Sequence, residues 1–266
     1  MKKVLIQGLF SLLFFFAIWF ALRQIDWMSK LNVEQTTKLT EEKLGNIIWD
    51  AYDRTDTEIK NEKINISLDS ILTKICTSNH LDKSKIKIHL MQSSEINAYA
   101  LPNNHLIINT GLIVAVENEA ELCGVMCHEI SHIEHNHVMN KLVKEIGLSF
   151  LISMTTGKGN SEATAKLMRL LSSTAYDRKL EKEADIQAVD YMIKANINPT
   201  PFADFLYRLS LNESSNVKYF NWISTHPDSK DRGKYIIEYC KNKFHRNKSI
   251  LRIETWKEMK DCLNNK

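Results

Sequence analysis

His128-Glu129-Ile130-Ser131-His132 is an HExxH pattern, the segment of this chain best suited to chemistry. It follows Ala120–Met126, whose apolar positions recur at helical spacing. At about 100° per residue, His128 and His132 fall roughly 40° apart, one turn above the other. Two imidazoles so placed suit adjacent ligands of a tetrahedral zinc ion. Glu129 lies within the same arc of about 100°. From there its carboxylate can take a proton from water that zinc acidifies to a pKa of about 7. Chance gives HExxH in roughly two chains in a hundred, so the helical setting adds weight to the pattern.

A catalytic zinc takes three protein ligands and keeps one position open. A metzincin would carry Gly at position 135 and His at 138. His135 and Val138 stand there instead, which excludes that class. The acidic candidates lie downstream, in Tyr176-Asp177-Arg178-Lys179-Leu180-Glu181-Lys182-Glu183-Ala184-Asp185. Glu181 and Asp185, four apart on a helix, share a face; one can bind zinc while the other holds a ligand histidine. Taken alone, the same stretch reads as a solvated surface with charge pairs. His226-Pro227, taken alone, reads as a turn. His135 and His137 fit either a further metal site or solvated and capping positions.

The elements that must position these residues follow from composition and period. The 266 residues include only 8 Gly and 4 Pro, which disfavours a sandwich of many short strands and leans towards helix. Ser67 is a candidate cap for a short helix carrying Leu68, Ile71, Leu72 and Ile75. Lys85–Leu90 alternates with period two. Asn97–Leu101 and His105–Asn109 read as a hairpin joined by Pro102-Asn103-Asn104. Helices are predicted at about 118–137, 138–155, 161–195, 200–212 and 229–243. The apolar stretch Ile146–Met154 is too short to span a bilayer and reads as a buried helix, or one lying against membrane or apolar substrate. Cys123 and Cys127 read as core residues, and the odd count of 5 cysteines argues against a disulfide framework. A formal net charge of +3, with no basic run interleaved with aromatics, argues against nucleic acid as a partner.

Met1-Lys2-Lys3 precedes an apolar run from Val4 to Leu22. At about 1.5 Å per residue the run nearly crosses a hydrocarbon core of roughly 30 Å. No A-x-A-like cleavage site follows, and Trp19 and Trp27 suit an interfacial belt. The expectation is a signal-anchor or transmembrane helix over residues 1–23, with 24–266 beyond the membrane. A cleaved signal peptide is the alternative. Lys2 and Lys3 favour a cytoplasmic N-terminus, while Arg23 and Lys30 after the run weigh the other way.

Four ordered motifs resemble the M48 family of zinc metallopeptidases. They are Asn97-Ala98-Tyr99-Ala100-Leu101-Pro102 followed by Gly111-Leu112; His128–His132 with His137; Glu181-Lys182-Glu183-Ala184-Asp185; and Thr225-His226-Pro227 with Arg232. The likeness covers about residues 67–240. It implies an α+β fold: a mainly helical zincin-like (gluzincin) domain with a small antiparallel sheet, plus the N-terminal transmembrane helix. It also implies one Zn2+ per chain held by His128, His132 and Glu181, which selects Glu181 over Glu183. Glu129 would be the general base, Asp185 would support a ligand histidine, and His226 would act near the cleft on the oxyanion or the open metal position. Asn97, Ala98 and Ala100 would line the strand that binds extended substrate. The Arg of the usual Ser-Arg before the Glu motif is shifted here to Arg178, and the expectation is a domain without a tetratricopeptide extension.

The function so implied is a zinc-dependent endopeptidase acting on misfolded or unassembled envelope proteins. It would sit in the cell inner membrane with its catalytic domain facing the periplasm, or in the periplasm if the signal is cleaved. A chaperone-like polypeptide-binding module with a structural zinc, and a zinc hydrolase acting on small amides, are the alternatives.

Overall fold

The computed structural model describes residues 33–54, 57–158, 161–173, 175–211, 222, 225–241, 243 and 248–264, with isolated helical positions between 7 and 16. It divides into two units, residues 1–40 and 41–266. In the first, the described Leu12, Phe14, Phe15 and Phe16 are exposed. Most of the expected membrane helix lies outside the described residues. Among the described residues no helix is long and apolar enough to cross a membrane.

Helix α1 (Val33–Asp53) brings Leu44 and Ile48 into the core of the second unit. Next comes α2 (Glu62–Asn79), which buries Ile64, Leu68, Ile71, Leu72 and Ile75 along one stripe. Its cap is Asn61, whose side chain accepts from Ile64 N–H at 3.2 Å. Ser67 therefore does not cap this helix. It lies inside, its hydroxyl donating to Lys63 O at 2.8 Å, because the apolar stripe starts one turn earlier, at Ile64.

Three strands follow: β1 (Lys87–Met91), β2 (Ala98–Leu101) and β3 (His105–Asn109). The hairpin β2–β3 forms as expected, with Asn103 and Asn104 at φ of 62° and 60°. Asparagine tolerates that left-handed region because its short polar side chain bonds locally. The expected antiparallel sheet is corrected. The order is β1-β3-β2 with β1 parallel to β3, so the sheet is mixed. All five residues of β3 are buried, and a strand buried along its whole length is satisfied best at the centre, paired on both edges.

After the short α3 (Thr110–Ala115), the site helix α4 (Glu119–Glu134) begins at Asn118, whose side chain accepts from Glu121 N–H at 3.1 Å. Arg208 clamps the buried Glu121 carboxylate from α9 (Thr200–Leu211) at 2.6 and 2.9 Å, tying the two helices together. Midway along α4, Gly124 lets Phe202 of α9 approach. A Cβ on Gly124 would meet Phe202 Cβ at 2.4 Å. His128 lies one turn further on.

Two expected helices are each broken. The stretch 138–155 divides at Gly147 (φ 91°) into α5 (His137–Ile146) and α6 (Leu148–Ser153). Leu151 and Met154 are buried there while Phe150 is exposed. The stretch 161–195 divides into α7 (Ser161–Ser173) and α8 (Arg178–Lys194). The cause lies in tertiary contacts: Tyr176 N–H donates to Thr225 O at 3.2 Å, and the Tyr176 ring stacks on His132. The fold closes with α10 (Ser229–Cys240) and α11 (Ile253–Asn264). Cys123 and Cys127 are buried, and Cys76, Cys123, Cys127, Cys240 and Cys262 are all free.

Candidate active site

Helix α4 places His128, Glu129 and His132, α8 places Glu181 and Asp185, and His226 comes from the turn before α10. All six are buried. His128 Nε2 and His132 Nε2 face each other at 3.0 Å. Glu181 Oε1 lies 3.4 Å from His132 Nε2, and its Oε2 lies 3.6 Å from His128 Nε2. His226 Nδ1 completes the ring, 3.2 Å from His128 Nε2 and 2.9 Å from Glu181 Oε1.

One ligand atom from each of His128, His132, Glu181 and His226 can be chosen so that all lie within 4.8 Å of one another. Two imidazoles and a carboxylate form the donor set of a catalytic zinc. Two buried atoms beside them, Glu129 Oε1 and His226 Nε2, make no hydrogen bond. Such convergence of buried donors is costly unless something cationic or protic joins them, so the residues fit a divalent cation.

Around this ring the charges are anchored. Asp185 Oδ1 lies 2.9 Å from His128 Nδ1. Arg232 of α10 grips Asp185 with both ends, Nε to Oδ2 at 2.8 Å and Nη2 to Oδ1 at 2.7 Å. Its Nη1 lies 2.7 Å from Glu181 Oε2 and donates to His226 O at 3.2 Å. Tyr235 OH also donates to Asp185. Burial opposes ionisation of Asp185, yet Arg232 and His128 hold its carboxyl down at about 2. For Glu181 burial again pushes upward, but His226 and Arg232 outweigh it and keep the group well below the usual carboxylate range. Burial depresses His132 well below the ordinary histidine value, which keeps the imidazole neutral and able to offer a lone pair.

Glu129 has a different environment. Its Oε2 accepts from Ala100 N–H of β2 at 3.1 Å, and its Oε1 lies 3.4 Å from His226 Nε2. Burial pushes its carboxyl up, against the pull of His226 and His128. Two carboxylates in one site thus have pKa values driven apart, the arrangement that separates a ligand from an acid–base group.

Ala98 and Ala100 lie on β2, and Asn97 just before it. Asn97 is buried, with both polar side-chain atoms unpaired. Each residue of β2 is buried, and α7 packs against the strand. Arg232, Tyr176, Lys141 and Trp222 also belong to the site. Tyr176 stacks on His132 at 4.1 Å between centroids, and Lys141 Nζ sits 4.2 Å from the Tyr176 ring. Trp222 stacks on His226 at 4.7 Å. Only Arg232 carries a sequence signal, as the last residue of the Thr225–Arg232 motif, and spacing gives it no task.

The profile of peptidase family M48 matches residues 62–239, which includes every residue of this ring. The chain belongs to that family. Among similar proteins, the mitochondrial metalloendopeptidase OMA1 of Bos taurus is 29% identical over 163 residues, covering 56% of this chain and 31% of that protein. The mitochondrial metalloendopeptidase OMA1 of Schizosaccharomyces pombe is 24% identical over 191 residues, 70% of this chain and 56% of that one. The putative beta-barrel assembly-enhancing protease of Vibrio cholerae is 24% identical over 202 residues, 70% and 42%. The M48 chain therefore spans about a third to just over half of the length of these relatives.

Proposed function

We propose that this M48 protein is a zinc-dependent endopeptidase, with His128, His132 and Glu181 as the metal ligands. The observation that carries the reading is the convergence of four buried donors within 4.8 Å, with Glu129 beside them. Zinc held there supplies Lewis acidity, bringing the pKa of water to about 7 and polarising the scissile carbonyl.

The protein's own residues do the rest. Asp185 accepts from His128 Nδ1–H, which leaves Nε2 with its lone pair turned inward. Arg232 keeps that carboxylate ionised and in place. The Ala100 N–H fixes one oxygen of Glu129 and leaves Oε1 to take the proton of the attacking water. A carboxyl raised by burial takes that proton more readily, and it can pass it on to the leaving amine nitrogen because the amine is the stronger base. His226 Nε2 lies close enough to Glu129 to hydrogen-bond the oxyanion that develops beside it.

Substrate binds in extended form along the edge of β2, next to Asn97, Ala98 and Ala100. The substrate class is misfolded or unassembled polypeptide of the cell envelope, a reading in keeping with the Vibrio cholerae relative's name. Val4–Leu22 anchors the protein in the membrane, with the peptidase domain on the non-cytoplasmic side.

The deciding experiment pairs metal analysis with casein cleavage by the full chain. Wild type should carry one zinc and lose cleavage with a chelator. Glu129→Gln should keep its zinc and lose cleavage by about 10²–10⁴-fold, whereas Glu181→Gln should lose the zinc. A zinc-loaded Glu129→Gln protein with wild-type cleavage would overturn the peptidase reading in favour of a binding module.

A further inference from the structure

We propose that His137 and Glu183 position His132 for the metal, through a relay that parallels the direct grip of Asp185 on His128. The inference rests on the zinc reading above.

His132 turns Nε2 into the donor ring, so its other nitrogen must be satisfied behind it. That atom, Nδ1, lies 3.0 Å from His137 Nδ1. Two ring nitrogens at this distance share one proton, one donating and the other accepting. For His132 to offer its Nε2 lone pair as a neutral ring, its proton must sit on Nδ1. His132 is then the donor and His137 Nδ1 the acceptor. His137 in turn carries its own proton on Nε2, which lies 3.7 Å from Glu183 Oε2. The assignment consistent with a metal-ready His132 therefore has His132 donating to His137, whose Nε2–H faces the Glu183 carboxylate at ion-pair distance, too long for a direct hydrogen bond.

The placement of His137 is built for this. Asn136 adopts a left-handed conformation (φ 54°), and α5 starts at the next residue, which folds the His137 ring back over His132 at 5.0 Å between centroids. His137 is 2% exposed, and a buried imidazole needs partners on both nitrogens. His135 also approaches Glu183, at 4.0 Å, but its Nδ1 lies 2.9 Å from Ser131 O and the residue is only half-buried. Helix α8 thus uses alternate residues of one segment for the site: Glu181 in the donor ring, Asp185 behind His128, and Glu183 behind His132. Positions two apart on a helix face different ways, so Glu183 cannot reach His132 as Asp185 reaches His128. The His137 ring spans the gap.

Zinc affinity, measured on the full chain by competition with a chromophoric chelator, tests this directly. Removing an outer partner of a ligand histidine costs about 10–100-fold in metal affinity, which is the loss expected for His137→Leu. His137→Gln should stay within about threefold of wild type, because its amide oxygen accepts from His132 while its NH2 donates towards Glu183. Glu183→Ala should weaken zinc by about threefold to tenfold, since water replaces part of a half-exposed carboxylate. In Co2+-substituted protein the d–d absorption should shift for His137→Leu and stay as wild type for His137→Gln. Wild-type affinity in His137→Leu, or Gln no better than Leu, overturns the relay. If His137→Leu does not fold, Glu183→Ala decides, and unchanged affinity there overturns it as well. A wild-type chain that takes up no zinc defeats the zinc reading itself, a result distinct from zinc-binding wild type with indifferent variants.

Discussion

Replacing Arg232 with methionine should be the most damaging single change around the site that leaves every donor in place. The residue is 2% exposed, and its guanidinium meets Asp185 through two hydrogen bonds and Glu181 at 2.7 Å. Methionine fills much of the volume but leaves two carboxylates buried without their cation. Breaking a buried ion pair from one side costs about 3–5 kcal/mol, because the remaining charge is stranded in low dielectric. Here His128 and Tyr235 still hold Asp185, which keeps the cost inside that range rather than doubling it for two acids. Against a total stability of about 5–15 kcal/mol, the loss is a large fraction of the whole. Urea unfolding of the chelator-treated chain at pH 7 should show it for Arg232→Met. Adding Asp185→Asn should recover more than about 1 kcal/mol, since one stranded charge is removed, although Asp185→Asn alone should destabilise. Zinc should narrow the gap between wild type and Arg232→Met, because a divalent cation beside Glu181 replaces part of the lost charge. Stability of Arg232→Met within about 1 kcal/mol of wild type, or additive losses in the double variant, would refute the argument.

Three further outcomes are expected. Gly124→Ala drives a methyl into Phe202 at 2.4 Å, so thermal unfolding should report a loss of about 1–3 kcal/mol and zinc affinity should fall as α4 shifts one turn from His128. Burial, with His89 and Lys87 nearby, brings His105 down to about 3, so below an unfolded value of about 6.5 the unfolded chain binds a proton that the native state refuses. Stability should therefore fall as pH drops from about 6.5 towards 3, by up to about 1.4 kcal/mol per pH unit from this group. His105→Gln should flatten the curve, and parallel curves for the two proteins would contradict it. A periplasm-active reporter fused after Lys266 should be active and the chain should remain in the membrane fraction, whereas a soluble product starting near residue 24 would show a cleaved signal.

Much of the site was legible because its parts repeat with local periods. A helix brings residues 128 and 132 onto one face whatever surrounds it, and the same rule aligns 181 with 185. The Asn-Asn turn between two apolar runs likewise dictates the β2–β3 hairpin from neighbouring residues alone. Glu181 over Glu183 came from a motif likeness, since periodicity offers several acids without choosing one.

What the tertiary structure decided is each feature whose partners are far apart in the chain. The parallel pairing of β1 with β3 depends on which edge of a fully buried strand is left to cover. The break between α7 and α8 depends on Tyr176 finding Thr225 and His132. Arg232 reaches Asp185 across 47 residues, and His226 reaches His128 across 98. Helical and strand periods act through bonds a few residues long, so they set the face on which a side chain lies. Which face meets which is settled only when the core closes, because burial of charge and apolar surface is a property of the whole packed chain.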